Sequence, residues 1–201
     1  MANTAYARQQ IGLYLKEFRI NSYDPSLRTQ SGLGSVLDIT QKQVSLIECG
    51  LTEAPVQLAA RWCKETEWFE GCDLLSHIYG LDPFGFVPVD PGLNQNVSEA
   101  LHNLKRQLKQ ALEAVDKLIE EEPGTNIAIR HGTYTLTSEL KECIKEVADL
   151  IPAVKTYFYA SERQDRAHMR EIGSMWNIEA LDDRVAMPGI ENFASTTLAL
   201  R

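Results

Sequence analysis

The chain has 201 residues, enough for one large or two small domains. Its composition, 44% hydrophobic and 24% charged, excludes bulk disorder, and its net charge of −8 argues against bulk polyanion binding while leaving one small face free to meet nucleic acid. Cys49, Cys63, Cys72 and Cys143 form neither a C-x-x-C pair nor a dense framework, which excludes a zinc knuckle and a secreted disulfide scaffold and fits a reducing, cytoplasmic setting.

Residues 1–10 lack the apolar segment of a signal peptide. No apolar run approaches the roughly 18–20 residues of a membrane span, so no membrane partner is expected. The most informative stretch is 29–50, TQSGLGSVLDITQKQVSLIECG. Thr40 followed three residues later by Gln43 is a capping box, so a helix starts at Gln41, and Gly50 is a natural residue to end it. Val44, Ile47 and, past the cap, Leu51 are expected to face the core, which leaves Gln41, Lys42, Ser45 and Leu46 pointing outward. The preceding helix, 29–37, is expected to bury Leu33, Val36 and Leu37, and only Asp38-Ile39-Thr40 separates the two. That spacing is helix-turn-helix spacing. An outward Gln bonds adenine bidentately, a Lys reaches guanine or phosphate, and the free N–H groups of the first turn suit a phosphate. Leu46 lies about 200° round the helix from Val44, so core packing does not explain it; on a DNA-binding reading it is expected to press on a thymine methyl in the major groove, the alternatives being a solvent-exposed leucine without a role or a small protein contact.

This stretch resembles the Cro/lambda-repressor, or Xre-type, DNA-binding family. The pattern T-Q-x-x-L-x-x-x-L-x-I-[ST]-Q-x-x-[VI]-S-x-[IL]-E-x-G is met at twelve positions: Thr29, Gln30, Leu33, Leu37, Ile39, Thr40, Gln41, Val44, Ser45, Ile47, Glu48 and Gly50. The resemblance extends to residues 15–19, like the family's first helix, to Pro55, Leu58, Ala59 and Trp62, like its fourth, and to a fifth helix near 68–79, so it covers about 70 of the 201 residues. It implies a mainly α chain whose first domain, 5–80, is a five-helix lambda-repressor-like fold. It also implies DNA contacts from Thr29, Gln30, Thr40, Gln41, Lys42, Ser45 and Leu46, and an ion pair between Arg19 and Glu48. The chain departs from the pattern in having extra residues between Arg19 and Gln30, Arg28 where an apolar residue is usual, Gly34 where Ala is common and Asp38 where Gly is common.

Residues 80–97 hold three prolines, Pro83, Pro88 and Pro91, and three glycines, a density that reads as a linker over 81–97. Beyond it a helical domain is expected over 98–201. Val97, Leu101, Leu104, Leu108, Ala111, Leu112, Val115, Leu118 and Ile119 recur at threes and fours, with Ser98 as N-cap. With Leu101, Leu108 and Val115 at a and Leu104, Ala111 and Leu118 at d, Leu112 and Ile119 fall at e, which widens the stripe beyond a zipper seam and marks a bundle helix. Its basic first half (Lys105, Arg106, Lys109) and acidic second half (Glu113, Asp116, Glu120, Glu121 and Glu122, offset only by Lys117) predict an antiparallel neighbour, either its symmetry mate or the 138–159 helix. A small β-hairpin is expected over 126–137 around His131-Gly132, then a helix through Leu140, Ile144, Val147, Ile151, Val154 and Phe158 that Pro152 kinks or divides, and a third helix over 161–176. Residues 188–201, weakly periodic, read as a swapped arm or a frayed end.

No nucleophile-and-base or metal-ligand spacing emerges. His77, His102, His131 and His168 are scattered, and Trp62, Cys63, Trp68 and Cys72 read as packing, so no catalytic residue, metal or cofactor is expected. The expected function is a sequence-specific transcriptional regulator, a dimeric repressor of phage or mobile-element type. It would bind a double-stranded DNA operator, dimerise through 98–159 and answer to a peptide or protein antirepressor. The alternative is a protein-interaction module of the antitoxin kind, for which DNA is secondary.

Overall fold

The computed structural model describes residues 10–90, 92–93, 96–130, 135–164, 168–183 and 185–186, and among them there are helices and no strand. The first five helices are α1 (Ile11–Ile20), α2 (Gln30–Leu37), α3 (Gln41–Glu48), α4 (Val56–Glu65) and α5 (Glu70–Ile78), with a short 3-10 turn at Pro25–Arg28. Each gives its apolar stripe to one core: Ile11, Leu15 and Phe18 from α1, Leu33 and Leu37 from α2, Val44 and Ile47 from α3, Ala59, Trp62 and Cys63 from α4, Leu74 and Leu75 from α5. Trp62, with no exposed surface, lies at its centre, and Trp68 and Cys72 pack against its edge. The extra residues between α1 and α2 form a packed connection. Asp24 caps the 3-10 turn by accepting the Ser26 N–H at 2.8 Å, and Ser22 and Leu27 are buried.

The second half begins with α6 (Val97–Arg130), which runs antiparallel to α7 (Ser138–Ala148) and α8 (Leu150–Gln164), followed by α9 (His168–Asp182). The Val97 N–H meets Gln164 Oε1 at 3.3 Å, joining the start of α6 to the end of α8. Asn96, not Ser98, caps α6, since its Oδ1 accepts the Glu99 N–H at 2.8 Å. The seam of α6 against its neighbours is Ala100, Ala111 and Ala114, buried, with Leu104, Gln107 and Leu118 half-buried. Small side chains at this seam let the helices approach closely. The large residues Leu101, Leu108, Leu112 and Ile119 lie about 100° away on the cylinder and are exposed. The wide apolar stripe is thus two stripes, of which the described residues cover one.

Other expectations are corrected as well. Residues 126–130 are helix rather than strand, because extending α6 needs no new nucleus, whereas an isolated hairpin is marginal; residues 131–134, the hairpin's turn, lie outside the described residues. The break between α7 and α8 falls at Asp149, three residues before Pro152. No helix starts at residue 161: α8 continues through it to Gln164 and α9 begins at His168. Leu51 is 74% exposed and Val36 only half-buried. Residues 1–9 and 187–201 lie outside the described residues. No helix is long and apolar enough to cross a membrane among the described residues.

Two polar clusters join α8 to α5. Arg163 pairs with Glu70, both nearly buried, and its guanidinium lies 5.1 Å from the Tyr23 ring centroid and 5.7 Å from that of Trp68. Asp73 accepts from Lys155 Nζ and from the Tyr159 hydroxyl, each at 2.8 Å. Burial raises the Glu70 carboxyl above its ordinary range even though Arg163 pulls the other way, and burial, reinforced by Asp73, pushes the Tyr159 hydroxyl up.

Candidate nucleic-acid interface

The arrangement of α2 and α3 is set by local chemistry. Thr29 caps α2 by accepting the Gly32 N–H at 3.0 Å. Asp38 takes the left-handed conformation at φ 59°, which Asp tolerates better than most residues, and turns the chain toward α3. At Thr40 the capping box is complete: the Thr40 hydroxyl accepts the Gln43 N–H at 3.2 Å and Gln43 Oε1 accepts the Thr40 N–H at 2.8 Å. The turn packs tightly on α2. A Cβ at Gly34 would lie 2.8 Å from the Ile39 carbonyl oxygen, so the Gly that departs from the family pattern makes room for the connection.

At its far end α3 closes in a Schellman motif. Gly50 stands at φ 69°, its N–H bonds Ile47 O at 2.9 Å, and the Leu51 N–H bonds Leu46 O at 2.9 Å. This explains why Leu51 leaves the core. The motif carries it past the helix end and brings it alongside Leu46.

Beneath α3 lies a buried polar network. Glu48, 2% exposed, accepts from Arg19 Nε at 2.5 Å, from Arg19 Nη2 at 3.0 Å and from Gln30 Nε2 at 2.7 Å, which ties α1, α2 and α3 together. Arg19 also donates to the Arg28 carbonyl, and Arg28 Nε donates to Ser22 O at 3.0 Å, so the connection between α1 and α2 is held by the same guanidinium. A residue to which no sequence signal points, Arg61 on α4, clasps the turn: it donates to Asp38 Oδ2 at 3.0 Å and to the Val36 carbonyl. On a helix surface an arginine has no periodicity to mark it, and its role follows only from the fold.

The nine singled-out residues fall into four sets. Arg19, Gln30 and Glu48 are joined in the network below α3, Thr29 and Thr40 are caps, and Gln41 and Lys42 stand exposed at the start of α3. Gln41 and Lys42 also carry N–H groups that have no intrahelical acceptor. Ser45 and Leu46, one turn on, are half-buried, so Leu46 is less open than its angular position suggests. Among the described residues no cluster of His, Cys, Asp or Glu is gathered as a metal site. No family model, curated protein or solved structure matches the chain.

Proposed function

We propose that this chain is a sequence-specific DNA-binding regulator of the Cro/lambda-repressor kind, with α1–α5 as a five-helix DNA-binding domain and α3 as its recognition helix. The observation that carries the reading is the exposed Gln41–Lys42 pair at a capped helix N-terminus, on a helix whose rear is fixed by Arg19, Gln30 and Glu48. Gln41 has the donor and acceptor for adenine N7 and N6, Lys42 reaches guanine or a phosphate, and the bare N–H groups of the first turn take a second phosphate. Thr29 and Ser45 flank this face, and Leu46 supplies an apolar edge for a thymine methyl.

Two copies are needed to read a two-fold operator. The exposed stripe of Leu101, Leu108, Leu112 and Ile119 on α6 supplies the surface for a homodimer, and the switch from basic to acidic along α6 favours an antiparallel mate. In that role the protein is a repressor of the phage or mobile-element type, acting in the cytoplasm. The exposed Met175, Trp176, Ile178 and Leu181 on α9 favour a second reading, in which an antitoxin-like chain holds another protein there. Fluorescence anisotropy on labelled duplex DNA across a salt series tests the first reading: Lys42→Ala is expected to weaken binding to all sequences alike and to flatten the salt slope by about one unit. An unaltered slope removes Lys42 from the interface.

A further inference from the structure

Residues 81–90 leave α5 and fold back toward the junction of α7 and α8. Asp82 holds this segment by accepting the N–H groups of Phe84 at 2.9 Å and Phe86 at 3.1 Å, and His77 Nδ1 lies 2.9 Å from the Phe86 carbonyl. Between the segment and Ile151 and Pro152 opens a cleft of about 700 Å³, inside the roughly 300–1,000 Å³ of small-molecule sites.

The cleft has a chemical character of its own. Its walls are largely apolar, and two aromatic rings form a corner in it: Phe84 and Phe86, with centroids 5.9 Å apart and planes tilted by 49°. Phe84 is 79% exposed, so most of its side chain is open. The charged groups of the lining are Asp73, Asp82, Asp90 and Asp149 against Lys145 and Lys155. Both lysines are already answered, Lys155 by Asp73 at 2.8 Å and Lys145 by Asp149 at 3.7 Å as well as by Glu142 and Glu146. Asp82 and Asp90 bond backbone N–H groups only, among the described residues, so the cleft keeps an excess of negative charge. Aromatic faces and uncompensated carboxylates in an apolar hollow attract the same class of ligand, since a ring face favours a cation within about 6 Å of its centroid and low-dielectric walls focus the field of the carboxylates.

We propose that this cleft binds a small organic cation with an apolar body, of the quaternary ammonium or phosphonium class. Its body covers Phe84 and Phe86 and its charge is shared by the aspartates. The rear of the cleft is the Asp73–Lys155 pair that joins α5 to α8, so the occupant sits on the contact between the two halves of the chain.

The test is isothermal titration calorimetry of the full chain, in sodium buffer and without DNA, with tetraphenylphosphonium and with tetraphenylborate, which match in shape and are opposite in charge. The expected result is one phosphonium per chain, bound at least tenfold more tightly than the borate, and a tenfold loss in Phe84→Ala, whose exposed side chain the fold does not need. Equal affinity for the two ions, tighter binding of the borate, no heat from the phosphonium at millimolar concentration, or unchanged binding in Phe84→Ala each overturns the proposal. Because no DNA is present, the outcome is independent of the DNA-binding reading.

Discussion

Replacing Glu48 by Ala is the sharpest test of how α3 is held. In the native chain the carboxylate takes three hydrogen bonds, two from Arg19 and one from Gln30. Once it is gone, Arg19, 7% exposed, keeps only the Arg28 carbonyl as acceptor among the described residues, and an uncompensated buried charge costs about 3–5 kcal/mol. That is a large share of the roughly 5–15 kcal/mol that holds a domain together. Glu48→Gln keeps the shape and one acceptor oxygen but also leaves the Arg19 charge without its counter-charge, so it too is expected to lose stability. The double variant Arg19→Met with Glu48→Leu strands no charge and is expected to be more stable than Glu48→Ala alone. Urea unfolding followed by tryptophan fluorescence reads all three, with fully buried Trp62 as a reporter of the core. A loss below 1 kcal/mol in Glu48→Ala, or a double variant less stable than that single one, refutes the account of a network closed by charge.

Three further outcomes follow from the geometry. Gly34→Ala gains about 1 kcal/mol of helix propensity, but its Cβ meets the Ile39 carbonyl at 2.8 Å, and overpacking of that kind costs about 1–3 kcal/mol; thermal unfolding is expected to show no gain, and a raised Tm contradicts the close approach. Because the Glu70 carboxyl is raised by burial, the folded state binds that proton more tightly than the unfolded state does. Its stabilising effect is complete below the ordinary carboxylate pKa and is lost as pH rises through the raised folded value, so unfolding free energy should decline across the mildly acidic range, and Glu70→Gln should flatten that decline; an identical pH profile in the variant contradicts the assignment. Leu46→Ala is expected to weaken binding to an operator with thymine beneath Leu46 and to leave the uracil version, which lacks the methyl, unaffected; equal losses on both reject the methyl contact.

The parts of the fold that were legible in the sequence are those set by neighbours in the chain. Thr40 and Gln43, three residues apart, define the start of α3, and Gly50 marks its end. Long-range pairing is a different matter. Arg163 and Glu70 lie 93 residues apart and Arg61 and Asp38 lie 23 apart, and no periodicity links either pair. On α6 the apolar residues were readable but not their division: Ala111 and Leu112 are both apolar, and only the packed neighbour decides that the first is buried and the second exposed. Asn126 to Arg130 failed for another reason, since a run with β-branched residues beside Gly132 suits a hairpin locally, and a helix already formed overrides that preference. The cleft beside Phe84 had no sequence signal beyond proline and glycine density, because its walls come from two segments about sixty residues apart.

The central claim is that α3 reads base edges in duplex DNA. Selection of bound sequences from random duplexes, run side by side on the native chain and on Gln41→Ala, tests it most directly. The account predicts that the native chain enriches a two-fold symmetric sequence whose half-sites lie about 34 Å apart, and that Gln41→Ala binds the same sequence with preference relaxed at one base pair in each half. No enriched sequence for the native chain, or the same preference at every position in the variant, contradicts it.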